Sequence, residues 1–525
     1  MLRYHLIKFF YPVLSLLAQF YFFVINSISA VINSFKPKRS VQWTEDELSN
    51  ELLFISAKQA AEKIRRKQIS SEQLVTTYIN RIKSVQPFVN AVVAENFEAA
   101  LDEAKKIDNS LAGIDENSDE YHNLANAKPL LGVPFTVKNN IDVKGFVTSA
   151  ACKKYISNSP AVKDGIVVEK LRNAGAIPVA LTNLPKLAMN WTCENEIYGR
   201  TCNPYDLRRI PGGSSGGEGA IIASAGSLFG LGNDLGGSVR IPALMCGVFG
   251  LKPTKHVVPL DGMVPEITTD IGKDQWAIGP LCRYAEDLPL VFGIIAGKLP
   301  SDLDIAVDFN QIHIYYMENL NTLIVEKTHS DMRQALENSV HFFETEFNVT
   351  AQKVDFPLAH HFYELWGGVG FSTPAKSTFS ILAEFPQILN ASSDLTSASW
   401  LHDIVRTFVE PRNDQEKKFM LQKYEKLRHQ VVNLLGKDGL LLLPAWPSVA
   451  PFNGQSTFTM FNLTMNRLFG NLLGFPSLVC PVGLSQNNGM PVGVQIVGPP
   501  HSEPLLIAAA KEIEKHFGGW IRPRE

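Results

Sequence analysis

Two serines and one lysine stand out by their surroundings. Ser214 lies inside Gly212-Gly213-Ser214-Ser215-Gly216-Gly217, and Ser238 follows Gly236-Gly237 in a second glycine bracket. Both fall between Pro211 and Pro253, a stretch that holds twelve of the chain's 37 glycines. Glycine costs up to about 1 kcal/mol per helical position relative to alanine, so something here must require backbone freedom or close approach. A loop that turns amide N–H groups toward a reacting oxygen is one such requirement. A serine hydroxyl is a weak nucleophile at neutral pH; it needs a base beside it and N–H donors aimed at the oxygen that becomes negative. Histidine is the usual base, yet none occurs between His122 and His256. Upstream, LLGVPFTVK (130–138) closes an otherwise apolar run on Lys138. In apolar surroundings a lysine pKa falls from ~10.4 toward neutrality, and the free amine becomes a usable base. Serine–lysine chemistry is what these residue types allow.

Each residue taken alone has a plainer explanation. Lys138 reads equally as a surface lysine at a strand end, and a serine between glycines as a turn residue. Asp234 and Arg240 read as a structural charge pair, and Cys193 and Cys246 as core thiols. Gly212 to Gly216 formally satisfies the GxSxG elbow of α/β-hydrolases, but that elbow follows a strand, and Leu207-Arg208-Arg209-Ile210-Pro211 is a poor one.

Taken together, the blocks GVPFTVK, GGSSGG and DLGGSVR resemble, in order and spacing, the three catalytic blocks of the amidase signature family. LLGFPSLVCPVGLSQNNGMPVGVQIVGPP is similar to that family's C-terminal block, so the resemblance runs from about residue 50 to 520, weakest between 300 and 440. Within the family, the apolar N-terminus and NEIYGRTCNPYDLRRIPGGSSGGEG look most like fatty-acid amide hydrolases, the second vertebrate type in particular. The resemblance implies Ser238 as nucleophile, Lys138 as base, and Ser214 as proton relay behind a cis Gly213-Ser214 peptide. It implies an oxyanion hole from the amides of Leu235, Gly236, Gly237 and Ser238, with Ser215, Asp234 and Arg240 in support. By position, Ala188, Met189 and Trp191 lie near the acyl pocket. No metal or other cofactor is implied. The expected reaction is hydrolysis of fatty-acid primary amides or N-acylethanolamines to free fatty acid and amine. Alternatives are an amidase of another small-molecule amide and a catalytically inactive, membrane-tethered member. A third, the amidotransferase component that makes amidated tRNA, works with partner subunits in solution, and the apolar N-terminus argues against it. Two positions depart from the family: Asn139 stands where an acidic residue is frequent, and Asn233 where threonine is usual. Neither removes a catalytic atom.

The elements that must carry these residues are legible in outline. With 525 residues, 45% of them hydrophobic and 19% charged, the chain can bury a large core. A net charge of −3, with basic residues scattered, gives no footprint for nucleic acid. Six cysteines without a CxxC pair fit neither a zinc knuckle nor a disulfide scaffold. Leu74, Val75, Tyr78, Ile79, Ile82 and Val85 fall on one helical face behind a capping-box-like Ser70-Ser71-Glu72-Gln73. Helix is expected over 164–173, ended by Gly175, then a buried strand at 177–181. A long helix is expected over 415–435, followed by strands at 440–443, around Leu478 and at 492–497, and a closing helix over 503–516. The stretch from about Ser301 to Pro444 carries no chemical motif, and its aromatic residues read as core. The fold class is α/β: a mixed twisted sheet covered by helices on both sides, preceded by an N-terminal hydrophobic helix. From Phe9 to Phe35 no residue is charged, longer than the ~20 residues that cross a bilayer. Residues 1–40 are therefore expected to be a single-pass anchor and linker, and 41–525 the catalytic domain. The rival readings are a signal peptide cleaved after Ser27-Ile28-Ser29-Ala30 and an interfacial helix. Expected partners are a lipid-like amide and an intracellular membrane such as endoplasmic reticulum or lipid droplet, with a homodimer left open and no nucleic acid.

Overall fold

Short, mostly apolar runs between helices assemble into one mixed eleven-stranded sheet, and its central strands are buried at every position. The computed structural model describes residues 2–322, 325–370, 411 and 413–524. The strands are β1 (Val92–Glu95), β2 (Pro134–Lys138), β3 (Ile177–Thr182), β6 (Phe229–Asp234), β7 (Phe249–Lys252), β8 (Ala277–Cys282), β9 (His313–Tyr316), β10 (Gln352–Lys353), β11 (Gly439–Leu443), β12 (Ser477–Leu484) and β13 (Pro491–Val497), while β4 (Glu194–Asn195) and β5 (Gly199–Arg200) pair separately. Their order across the sheet is β1-β3-β2-β6-β8-β7-β12-β13-β11-β9-β10. β2 runs parallel to both β3 and β6, and β8 returns antiparallel beside β6.

Apolar side chains are buried on both faces. One cluster gathers Phe135, Val137, Phe229 and Leu231 with the closing helix Glu503–Phe517. The other gathers Ile177 and Val179 with Ala220 to Ala223 and the helix Ser71–Val89. In that helix all six residues of the expected apolar face are buried. Ser70 Oγ accepts from Gln73 N–H at 2.9 Å, the serine half of the expected capping box. The helix expected over 164–173 starts at Ile166, because Gly165 is extended, and Gly175 follows its end at φ +95°. Helix Asp414–Leu435, β11, β12 and β13 appear where the pattern put them. Phe309, Phe342 and Phe343 are core, as read, whereas Phe419 is half exposed; residues 371–410 of that stretch lie outside the described residues.

The N-terminal run is a single helix, Leu2–Ser34, and Ser15–Ser34 within it is long and apolar enough to cross a membrane. It is seated on the rest of the chain. Gln19 Nε2 donates to the Val325 carbonyl at 3.2 Å, and Lys327 N–H donates to Gln19 Oε1 at 3.1 Å. Asn26 Nδ2 donates to Glu326 Oε1, and Gln455 Nε2 donates to Asn26 Oδ1. Arg208 Nη1 closes the helix end through the carbonyls of Asn33 and Lys36 at 3.0 and 2.9 Å.

Candidate active site

Lys138 ends β2, and across the parallel pair Thr136 stands opposite Gly230 and Val137 opposite Leu231 on β6. Side chains alternate faces along a strand. Phe135 and Phe229 therefore share one face, where their rings stack with centroids 5.3 Å apart. The opposite face of β6 presents Gly230 and Gly232. A Cβ on Gly230 would fall 1.8 Å from Glu218 Oε2, and one on Gly232 would fall 2.6 Å from Ser215 Oγ. Two glycines two residues apart thus let the Ser214-Ser215 loop and the helix Gly216–Ala223 lie directly on the sheet.

That close approach delivers Ser214 to Lys138. The lysine is wholly buried, and its Nζ donates to Ser214 Oγ and to Asn233 Oδ1, each at 2.7 Å. Burial brings its pKa down to about 7, with Cys193, Asp234 and Glu218 opposing more weakly. The Gly213-Ser214 peptide is cis, as the resemblance implies. Ser238 lies between β6 and the helix Arg240–Cys246 and is half-buried. Its carbonyl accepts from Ser215 N–H at 3.1 Å, which sets the two serine loops side by side. Among the described residues no hydrogen bond joins the Ser214 and Ser238 hydroxyls.

Asp234 builds the turn that carries Ser238. Its carboxylate accepts from Gly237 N–H at 2.8 Å and Val239 N–H at 3.0 Å. It also accepts the Arg240 fork at 2.9 and 3.1 Å and Asn471 Nδ2 at 3.0 Å. Burial alone would raise this carboxyl, but the Arg240 guanidinium and the converging donors outweigh it and hold it well below the usual carboxylate range. Arg240 spends its other donors on the Asn466 carbonyl, Gln495 Oε1 and Asn471 Oδ1. A buried pair so fully bonded is a scaffold for the turn. One expected oxyanion donor is affected: the Gly237 N–H is already given to Asp234, leaving Leu235, Gly236 and Ser238 of the four amides.

Both departures from the family have partners. Asn233 accepts from Lys138 and donates to Asn140 Oδ1 at 2.7 Å. Asn139 accepts from Ser149 N–H at 3.0 Å and donates to Ser149 Oγ at 3.1 Å. Ala188 belongs to the turn Lys186–Ala188, where Leu187 and Ala188 have φ of +54° and +60°, a costly region for side-chain-bearing residues. Trp191 packs its backbone against Gly213, and Met189 is half-buried beside Leu187. Two cavities lie elsewhere. One of about 510 Å³ sits between the N-terminal helix and residues 326–329, and one of about 610 Å³ is lined by Lys58, Arg65 and Leu299. His256 is exposed and paired with Asp274 at 2.6 Å. Among the described residues no strand lies between Arg200 and Gly212. All six cysteines are free, and burial pushes the Cys193 thiol up to about 11. Among the described residues no group of three or more His, Cys, Asp or Glu is set to hold a metal.

Sequence reasoning missed Glu218. It is wholly buried and accepts from Thr136 Oγ1 at 2.6 Å and Thr182 Oγ1 at 2.7 Å, tying its helix to β2 and β3. Burial, stronger than those bonds and the nearby Lys138, pushes its pKa up to about 8. The available signal was a lone carboxylate inside GGEGAIIA.

Comparison with known proteins follows the same lines. The Amidase family model matches residues 73–507. Fatty-acid amide hydrolase 2-B of Danio rerio is 35% identical over 494 residues, covering 91% of this chain and 92% of that protein. A glutamyl-tRNA(Gln) amidotransferase subunit of Fusobacterium nucleatum is 31% identical over 511 residues, covering 90% of this chain and 99% of that protein. A solved fatty acid amide hydrolase superposes with a TM-score of 0.74 at 22% identity, covering 92% of this chain and 88% of that one.

Proposed function

The chain belongs to the amidase signature family and is an amide hydrolase, and from that premise we propose that it cleaves fatty-acid primary amides or N-acylethanolamines through an acyl-enzyme on Ser238. The observation that carries the proposal is a buried amine hydrogen-bonded to Ser214, in the loop bonded to that of Ser238. Neutral Lys138 takes the Ser214 proton as Ser214 takes that of Ser238, and Ser238 Oγ attacks the substrate carbonyl carbon. The carbonyl oxygen becomes the oxyanion facing the amides of Leu235, Gly236 and Ser238. As the tetrahedral centre collapses, the C–N bond breaks and the proton held by Lys138 returns through Ser214 to the leaving nitrogen. Water, giving its proton to the same relay, then attacks the ester carbonyl; the C–O bond to Ser238 breaks, the relay returns the proton to Ser238 Oγ, and the fatty acid is freed.

Two features support a lipid amide over the amidotransferase reaction of the other relatives. The fatty-acid amide hydrolase relative is 35% identical against 31% for the amidotransferase subunit, and the N-terminal helix exposes Leu16, Leu17, Phe20 and Phe23. Such a surface fits a membrane, where long-chain amides partition, an intracellular one such as endoplasmic reticulum or lipid droplet. Fluorophosphonate treatment followed by peptide mass spectrometry should place the adduct on Ser238, and turnover of a homologous series of acylamides should rise with chain length. An adduct on Ser215, or a preference for acetamide-sized substrates, would sink the proposal.

A further inference from the structure

The N-terminal helix carries two faces. Gln19, Phe22 and Asn26, spaced three and four apart, point to the catalytic body, and Phe22 is only 4% exposed; Asn33 joins it through its backbone carbonyl, while its Nδ2 bonds the Ser29 carbonyl of the same helix. Leu16, Leu17, Phe20, Phe23, Val31 and Ile32 are all more than half exposed. A free tether has no use for Gln19 and Asn26 on one stripe, since an amide side chain is expensive in lipid unless bonded.

The bonds lead inward. Asn26 Nδ2 donates to Glu326 Oε1, and Asn462 Nδ2 donates to Glu326 Oε2 at 3.1 Å. Glu326 N–H returns a bond to Asn462 Oδ1 at 3.0 Å. Glu326 is nearly buried, and His329 Nε2 lies 2.7 Å from its Oε1. Directly after Asn462, Leu463 packs on Gly236 and Asn466 packs on Gly237. The Asn466 carbonyl then accepts from Arg240, whose partner Asp234 binds the amides of Gly237 and Val239 on either side of Ser238. Each step from the helix to that turn is a hydrogen bond, a packed contact or the short run of chain from Asn462 to Asn466.

We propose that the N-terminal helix is a positioning element of the catalytic unit: Asn26, Glu326 and Asn462 couple its seating on a lipid surface to the loop that carries Ser238. The proposal rests on the function argued above. It differs from an anchor expected only to hold the enzyme at the membrane, because it makes turnover itself depend on the docked helix.

Asn26→Asp in the full-length protein places a second carboxylate against Glu326. With oleamide in phosphatidylcholine vesicles, kcat should fall about tenfold with KM changed little, and the rate of fluorophosphonate labelling at Ser238 should fall in parallel. Asn26→Asp combined with Glu326→Gln reverses donor and acceptor and keeps the Asn462 and Gln455 bonds; His329 Nε2, beside the atom that becomes the amide nitrogen, then serves as an acceptor, and both rates should return to within about threefold of the original. Asn26→Ser, which deletes the bonds without adding charge, guards against a folding defect and should lose about threefold. The proposal is overturned if Asn26→Asp and Asn26→Ser match the parent in kcat and labelling, or if the double substitution stays as slow as Asn26→Asp. If the parent takes no adduct on Ser238, the functional proposal falls and this one with it; if the parent is labelled and the variants behave alike, only the coupling falls.

Discussion

The pH profile tests the mechanism more closely than a loss of activity would. Only the uncharged amine of Lys138 can take a proton, so rising pH activates the enzyme as the ammonium deprotonates. With a pKa of about 7, kcat/KM for an uncharged substrate such as oleamide should be about one-tenth of its plateau at pH 6, half at pH 7 and nine-tenths at pH 8. A lysine at its ordinary ~10.4 would instead give under ~1% at pH 8 and climb tenfold per unit throughout. Asn233→Asp then moves the profile in a known direction. Its oxygen sits 2.7 Å from Nζ, and an anion there favours the charged lysine by about 1–3 pKa units. The midpoint should shift to about 8–10, slowing the enzyme about 5- to 500-fold at pH 7, with about half or more of the rate recovered at pH 10. Loss of the bond from Asn233 to Asn140 would lower the plateau but leave the midpoint alone, so the two effects separate. A profile without a break between pH 6 and 9, or an Asn233→Asp midpoint that does not move, would refute Lys138 as the base.

Lys138→Ala removes the proton source for a departing amine as well as the base, so the ratio of amide to methyl-ester turnover on the same acyl chain should fall at least about tenfold; an unchanged ratio would place the leaving-group proton elsewhere. Arg240→Met strands the Asp234 carboxylate in the interior and should cost about 3–5 kcal/mol in urea unfolding, whereas a loss under ~1 kcal/mol would mean the pair is dispensable to the turn. Gly230→Ala drives a methyl into Glu218 and should destabilise by about 1–3 kcal/mol in the same assay; a neutral result would mean that Glu218 has room to move.

How much of this was legible depended on whether a residue acts through its own neighbours in sequence. Lys138, Ser214 and Ser238 were found because each sits in a short block of unusual composition, and the helix Ser71–Val89 because its apolar period is strong. Asp234 and Arg240 could be paired because they lie six residues apart on one turn. Glu218 was missed because its partners Thr136 and Thr182 come from two other strands, and nothing in GGEGAIIA marks them. Asn471 and Asn466, which complete the Asp234 and Arg240 shell, arrive from more than 200 residues away. The commitment of the Gly237 amide to Asp234 is likewise a matter of turn geometry, invisible in the letters DLGGS. The apolar N-terminus was legible as a helix, but its seating was not, because Gln19 and Asn26 look like ordinary interruptions of an apolar run.

The pairing of β2 with β6 also bears on how this chain must fold. Lys138 and its two hydrogen-bond partners are 76 and 95 residues apart along the chain, and nothing local holds them together. Closing such loops costs entropy before any contact rewards it, and parallel pairing is slow for the same reason. Helices such as Ser71–Val89 and Asp414–Leu435 form from neighbouring residues and need no such search. During refolding, catalytic competence therefore trails helical content, arriving only when β6, with its glycine face, has found β2. A preparation with native helicity can be wholly inactive, and activity, not circular dichroism, is the measure of whether the central strands have met.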